Sequence, residues 1–195
     1  LDGFMGEQDW QGVCNDMKLS DGLFWPIPVT LSAEQALADQ IELGEEIALI
    51  DGETQQIMAV MTVAEKFAPD LVLQCKKVFG TNDESHPGVA KVMAQPPVNL
   101  GGSVKVIEEG WFPEEFSDLY IRPDQARKMF EDMGWSKVAA FQTRNPMHRS
   151  HEHLVKIAID VTDGVFIHQV LGKLKPGDIP APVRVEAINA MIENY

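Results

Sequence analysis

Phe141-Gln142-Thr143-Arg144-Asn145-Pro146-Met147-His148-Arg149-Ser150-His151-Glu152 is the stretch on which the reading of this chain turns. The apolar run Val138-Ala139-Ala140-Phe141 before it reads as a buried strand. Leu154, Val155, Ala158 and Ile159 follow at helical spacing, in phase with Met147 and His151. Asn145 suits an N-cap and Pro146 the first helical position, where a missing N–H costs nothing. Gly164 to Val170 then reads as a second strand. Strand, tight turn, helix and strand make a βαβ unit, which favours a parallel sheet. The turn falls at the C-terminal edge of that sheet, where open α/β sheets bind ligands.

The turn is not a Gly-rich phosphate loop, since neither G-x-G-x-x-G nor G-x-x-x-x-G-K-[ST] is present. It offers Gln142, Arg144, Asn145, His148 and His151 beside a helix N-terminus, whose first N–H groups lack helical partners and whose dipole end is positive. His148 and His151 are three apart, so both can lean toward one ligand. This set suits phosphate or another oxyanion. The blander alternative is a well-capped helix with structurally satisfied histidines. It would serve for either histidine alone but not for the whole pattern.

Gln142-Thr-Arg-Asn-Pro-x-His148-x-x-His151 resembles the signature of ATP sulfurylase (sulfate adenylyltransferase), and its paired histidines resemble the HxxH or HxGH motif of the wider nucleotidyltransferase superfamily. Leu1-Asp-Gly-Phe, His86-Pro-Gly-Val-Ala90, Ala94-Gln-Pro-Pro-Val98 and Gly101-Gly102 are similar to pieces of the family's N-terminal domain, so the resemblance covers nearly the whole chain. It implies an α/β, two-domain protein. A β-rich PUA-like domain over residues 1–121 is followed over 122–195 by an incomplete Rossmann-like α/β nucleotidyltransferase domain. The family's second nucleotide-binding motif, of Gly-Arg-x-His type, has no counterpart here. Both ends read as cut, so the chain is expected to belong to a longer polypeptide and to be inactive by itself.

The chain has 195 residues and a net charge of −14, with ordinary hydrophobic and charged content of 45% and 24%. Residues 1–121 carry a charge of −15 and residues 122–195 a charge of +1, and all five arginines lie in the second part. That break suggests a domain boundary and puts the cations where the anion-binding turn is. The acidic balance speaks against nucleic acid and anionic membranes. No apolar run approaches a bilayer span of about 20 residues, and no signal peptide is read. Cys14 and Cys75 form no Cys-x-x-Cys and read as buried or free thiols in a reducing compartment, so a cytoplasmic setting is expected.

Along the chain, Leu1 to Gly22 is rich in turn formers. Phe24 to Thr30 reads as an extended edge strand broken by two prolines. Ser32 to Leu43 reads as a helix capped by Ser32 and stopped by Gly44. Glu46–Ile50 and Gln56–Val63 read as a hairpin across Asp51-Gly52. Asp70 to Lys77 reads as a short helix, and Val78–Thr81 and Val104–Ile107 as short strands. The sum suggests a compact β-rich barrel with small helices. Residues 86 to 102 read as a long irregular connection in which His86 is structural. Phe116 to Arg122 is the expected linker, and Pro123 to Met133 a helix stopped by Gly134. Gly172-Lys-Leu-Lys-Pro-Gly-Asp178 brings Lys173 and Lys175 near the same sheet edge. Pro182 to Glu193 reads as a helix with a stripe of Val183, Ala187, Ile188 and Met191, and Arg184 receives no role.

The resemblance implies adenylyl transfer: a sulfate oxygen attacks the α-phosphorus of ATP, giving adenosine 5′-phosphosulfate and pyrophosphate, or the reverse. It implies Thr143, Arg144 and Asn145 as catalytic residues and Gln142, Arg144, Asn145, His148 and His151 as binders of sulfate and ATP. Arg149, Glu152 and His153 are read as structural or solvated. Mg²⁺ is expected on the ATP phosphates, not in a protein cage, and a homo-oligomer is expected. The alternatives are another HxxH adenylyltransferase acting on a phosphorylated organic substrate, and a PUA-type RNA-binding module, which the acidic first part disfavours.

Overall fold

Ala59, Met61 and Val63 are buried at alternate positions, as a half-buried strand demands, and they anchor the first of two units, Leu1–Gly110. The computed structural model describes residues 1–172, 175 and 177–194. The first unit contains β1 (Gly3–Phe4), α1 (Glu7–Asp16), β2 (Leu31–Ala33), α2 (Gln35–Ala38), β3 (Glu46–Ile50), β4 (Ile57–Phe67), α3 (Leu71–Phe79), α4 (Pro87–Met93) and β5 (Val98–Val106). Its strands form an antiparallel sheet ordered β1-β5-β4-β3, with β2 pairing another part of β5. Met61, Val63, Leu100 and Val98 of the central strands pack on Ala33, Ala38 and Ile41. A fully buried side chain such as Met61 contributes about 1.5–3 kcal/mol. Cys14 packs with Trp10 and Phe67, and Cys75 with Val89 and Val92; both thiols are free. Burial raises the Cys14 thiol to about 11, with Lys77 opposing.

The sequence reading of this unit needs correction in several places. The expected connection over residues 86–102 is α4 followed by most of β5. Gly101 and Gly102 lie inside the strand because a side chain at Gly102 would meet the Thr62 carbonyl oxygen at 2.0 Å, beside the irregularity between Val63 and Glu65. His86 is structural: its Nδ1 accepts the Gly88 N–H at 3.1 Å and so caps α4. Ser32 does not cap a long helix; it pairs with Asn99 in β2, and only the short α2 follows. Val78 and Phe79 end α3 instead of forming a strand, because Phe79 packs on the Cys75 cluster and Gly80 turns out at φ 73°. The Asp51-Gly52 turn runs to Gln56, with the Asp51 carboxylate accepting the Glu53 and Thr54 N–H groups. Phe24 makes an isolated bridge to Lys18, and Phe24 to Thr30 adds no strand to the sheet. Helix α1 was not anticipated among the turn formers. The sheet order runs from β1 to β3 without closing into a barrel.

The second unit, Trp111–Tyr195, contains α5 (Phe112–Glu115), α6 (Pro123–Asp132), β6 (Val138–Thr143), α7 (Arg149–Val161), β7 (Gly164–Gln169) and α8 (Ala181–Glu193). The compositional break near residue 121 therefore falls inside this unit. β6 and β7 are parallel and in register from Val138↔Gly164 to Thr143↔Gln169, with α7 packed on both. This is the expected βαβ step. At its start the Asp163 carboxylate accepts N–H groups of Ser136 and Lys137, each at 2.8 Å, and the Ser136 hydroxyl at 2.9 Å. These bonds hold the Asp163 carboxyl below its usual range, the Lys137 N–H foremost. Gly164 is required there, since a side chain would strike the Trp135 ring at 2.3 Å.

Candidate active site

The site grows from the C-terminal end of β6. Thr143 is buried, with its hydroxyl turned back on its own chain. Oγ1 accepts the Asn145 N–H at 3.0 Å and donates to the Asn145 carbonyl at 3.1 Å. That closed turn uses the Asn145 backbone, so Asn145 does not cap α7 as the sequence suggested. The helix starts three residues later, with His148 in the N-cap position and Arg149 first. The Asn145 side chain is left exposed at the tip of the turn.

The paired histidines come together as their spacing requires. The rings of His148 and His151 lie 3.8 Å apart between centroids, tilted by 35°. The His148 N–H donates to His151 Nδ1 at 3.4 Å, so a neutral His151 carries its proton on Nε2. His148 Nδ1 pairs with the Ser150 hydroxyl at 2.9 Å, and Phe141 backs the His151 ring at 5.7 Å. His153 is exposed, and Glu152 forms an ion pair with Lys156 at 2.7 Å.

Gln142 and Arg144 meet residues the sequence reading did not use. Gln142 faces its register partner His168, with Nε2 3.3 Å from Nδ1. Arg144 Nη2 donates to Asp178 Oδ2 at 2.5 Å. The same Asp178 oxygen accepts the Lys175 N–H at 2.8 Å. These bonds, that from Lys175 first and that from Arg144 next, hold the Asp178 carboxyl below the usual range. Lys175 is exposed, and Lys173 lies outside the described residues.

Arg184 is the larger correction. It is 1% exposed, whereas Val183, which the expected stripe of α8 put inside, is 50% exposed. Its Nη1 donates to the carbonyls of Val170, at 2.5 Å, and Arg144, at 3.1 Å. A buried guanidinium thus ties the end of β7 to the β6–α7 turn. A lone arginine on an otherwise apolar helix face was the available signal, since charges are buried only when paired or hydrogen-bonded.

A cavity of about 500 Å³ opens between the start of α7, at Met147, His148 and Arg149, and Ala187, Ala190 and Met191 of α8. Another of about 590 Å³ is lined by Gln142 and His168 together with apolar residues such as Phe166 and Ile188. Both fall in the size range of small-molecule sites. Among the described residues no group of three or more His, Cys, Asp or Glu is placed to hold a metal ion. No described helix is long and apolar enough to cross a membrane.

The PUA-like domain family matches residues 1–109, and the ATP-sulfurylase family matches residues 117–195. The sulfate adenylyltransferase of Pelodictyon phaeoclathratiforme is 60% identical over 195 residues, covering 100% of this chain and 48% of that protein. The chain belongs to the PUA-like domain family, and its remainder is similar to ATP sulfurylases. Proteins of Chlorobium chlorochromatii and Syntrophobacter fumaroxidans, also named sulfate adenylyltransferase, are 58% and 59% identical, each match covering 100% of this chain and 48% of the relative. The chain therefore spans about half the length of the curated relatives it matches. A solved structure described as a hexameric APS kinase from Thiobacillus denitrificans matches at TM-score 0.66 and 25% identity, over 100% of this chain and 34% of that one.

Proposed function

We propose that the protein is a sulfate adenylyltransferase, joining ATP and sulfate to give adenosine 5′-phosphosulfate and pyrophosphate, or running the reverse, in sulfur metabolism. The observation that carries this reading is the Gln142–His151 segment. An arginine turn at a sheet edge is followed at once by two closely apposed histidines at a helix N-terminus. The names of the relatives support the same activity.

Sulfate is a fully ionised nucleophile, so the reaction needs neither a general base nor a covalent intermediate. What remains is to hold two polyanions in line and to stabilise charge on the leaving pyrophosphate. In this reading Arg144, through the guanidinium N–H groups not engaged by Asp178, binds sulfate and the adjacent nucleotide phosphate in the paired manner a guanidinium allows. The Gln142 amide, set by His168, adds a neutral donor, and Asn145 presents its exposed amide at the turn. His148 and His151 serve the ATP phosphates at the start of α7, where the helix dipole also favours anions. Thr143 serves by shaping the turn, since its hydroxyl is spent on the Asn145 backbone. Mg²⁺ enters as the ATP chelate, whose phosphates supply the hard oxygen ligands it prefers. The reading sets the reaction in the cytoplasm. It favours a homo-oligomer, in keeping with the hexameric neighbour.

The test is sulfate-dependent exchange of labelled pyrophosphate into ATP by the full-length protein, with Arg144→Lys alongside. The wild type exchanges only with sulfate present, and the lysine variant loses most of that activity because a point ammonium cannot replace a fork of donors. Near-normal exchange by Arg144→Lys would falsify the clamp. Exchange dependent on another substrate would replace sulfate in the reading.

A further inference from the structure

Arg144 is gripped twice from one stretch of the second unit. Asp178 takes its guanidinium at Nη2, and Arg184 takes its backbone carbonyl. The grip is itself rigid: Asp178 Oδ2 is fixed by the Lys175 N–H, and the Asp178 N–H returns to the Lys175 carbonyl at 3.0 Å. Arg184 is anchored to Val170 and buried.

A carboxylate against an anion-binding arginine looks counterproductive, because it cancels the charge that attracts the substrate. Two considerations reverse that judgement. A free arginine side chain carries about 2 kcal/mol of rotamer entropy, lost on binding unless the side chain is already held. Asp178 also engages Nη2 alone, and among the described residues no partner reaches Nε or Nη1. The planar fork is thus fixed with most of its donors still available.

We propose that Asp178 is a positioning residue for Arg144. It holds the guanidinium by one nitrogen so that the remaining N–H groups meet the oxyanion in reactive alignment, while Arg184 fixes the backbone beneath. The inference rests on the sulfate-adenylyl-transfer reading for its consequence in turnover, but not for the geometry. It assigns to the Gly-Lys-x-Lys-Pro-Gly-Asp segment a role carried by its last residue. The role is to order a cation, and the segment's lysines are not needed for it.

The test is Asp178→Asn in the full-length protein, which keeps the shape and the acceptor for Lys175 but removes the charge. The expected result is a fall in kcat of about 10- to 100-fold, the scale of a misaligned reacting group. KM for sulfate should change little, because the charge released on Arg144 offsets the rotamer entropy that it must again lose on binding. A purely structural role would instead lower the melting temperature and move kcat without this split. The second readout is the ¹⁵N resonance of Arg144 Nε–H, assigned by its disappearance in Arg144→Lys. It should be sharp in the wild type and averaged in Asp178→Asn. An Arg144 signal unchanged in Asp178→Asn, or a KM for sulfate rising in step with the loss of kcat, overturns the proposal. A wild type with an ordered Arg144 signal but no sulfate-dependent exchange sinks the functional reading and leaves the positioning intact. If Asp178→Asn does not fold, Asp178→Glu, which keeps the charge but moves it outward, is judged by the same two readouts.

Discussion

Thr143→Val separates a catalytic threonine from one that shapes the turn. Valine matches threonine in shape, so the substitution replaces the hydroxyl by a methyl group that can neither donate nor accept. That hydroxyl accepts the Asn145 N–H at 3.0 Å and donates to the Asn145 carbonyl at 3.1 Å. A buried backbone N–H left unpaired costs about 1–3 kcal/mol, and the second bond is worth about 0.5–1.5 kcal/mol. Asn145 itself is exposed, so water recovers part of both. The expected destabilisation is therefore about 1–2 kcal/mol, read from the midpoint of urea unfolding at unchanged slope. Turnover should fall by about tenfold or more, because Arg144 and Asn145 are built on that turn. Thr143→Ser keeps the hydroxyl and should retain both stability and most activity. A fully stable Thr143→Val together with an inactive Thr143→Ser would put the threonine in the chemistry and refute the turn argument.

The closely apposed histidines predict unequal responses along one helix. His148→Ala and His151→Ala should each cut turnover sharply with little change in melting temperature, while the exposed His153→Ala stays near wild type; equal effects in all three would remove the case for a first-turn site. Asp163 predicts a pH-dependent stability. Its folded-state value lies below the usual one, so its stabilisation is present above the unfolded value of about 3.9 and is lost as pH falls through the lower folded value. Asp163→Asn should melt below the wild type at pH 7, and the gap should narrow toward pH 3; a gap independent of pH would mean that the carboxylate's charge plays no part.

The local pattern of residues 138–170 was enough to place the strand, the turn, the helix and the parallel return strand. Apolar spacing and the turn residues act over a few positions, and the structure uses them as written. The pairing of His148 with His151 follows from helical spacing alone. The start of α7 did not follow, because the Thr143 hydroxyl competes for the Asn145 backbone and wins, displacing the helix to Arg149. In the first unit, β5 was hidden because its two glycines suit a strand only where neighbouring backbone crowds them, that of Met5 and Gly6 at Gly101 and that of Thr62 at Gly102.

The sequence by itself determined the likeness to ATP sulfurylases, the two-part organisation of β-rich then α/β structure, and the chemical character of the turn. Each of these is a short-range pattern. Only the tertiary structure decided which groups hold that turn in place. Asp178 lies 34 residues beyond Arg144, Arg184 lies 40 beyond it, and His168 lies 26 beyond Gln142. No periodicity links such positions. They meet because a parallel return strand and the helix after it bring the chain back to one sheet edge. There the buried Arg184 guanidinium finds two carbonyl acceptors through Nη1, and the Asp178 carboxylate finds the Arg144 and Lys175 donors.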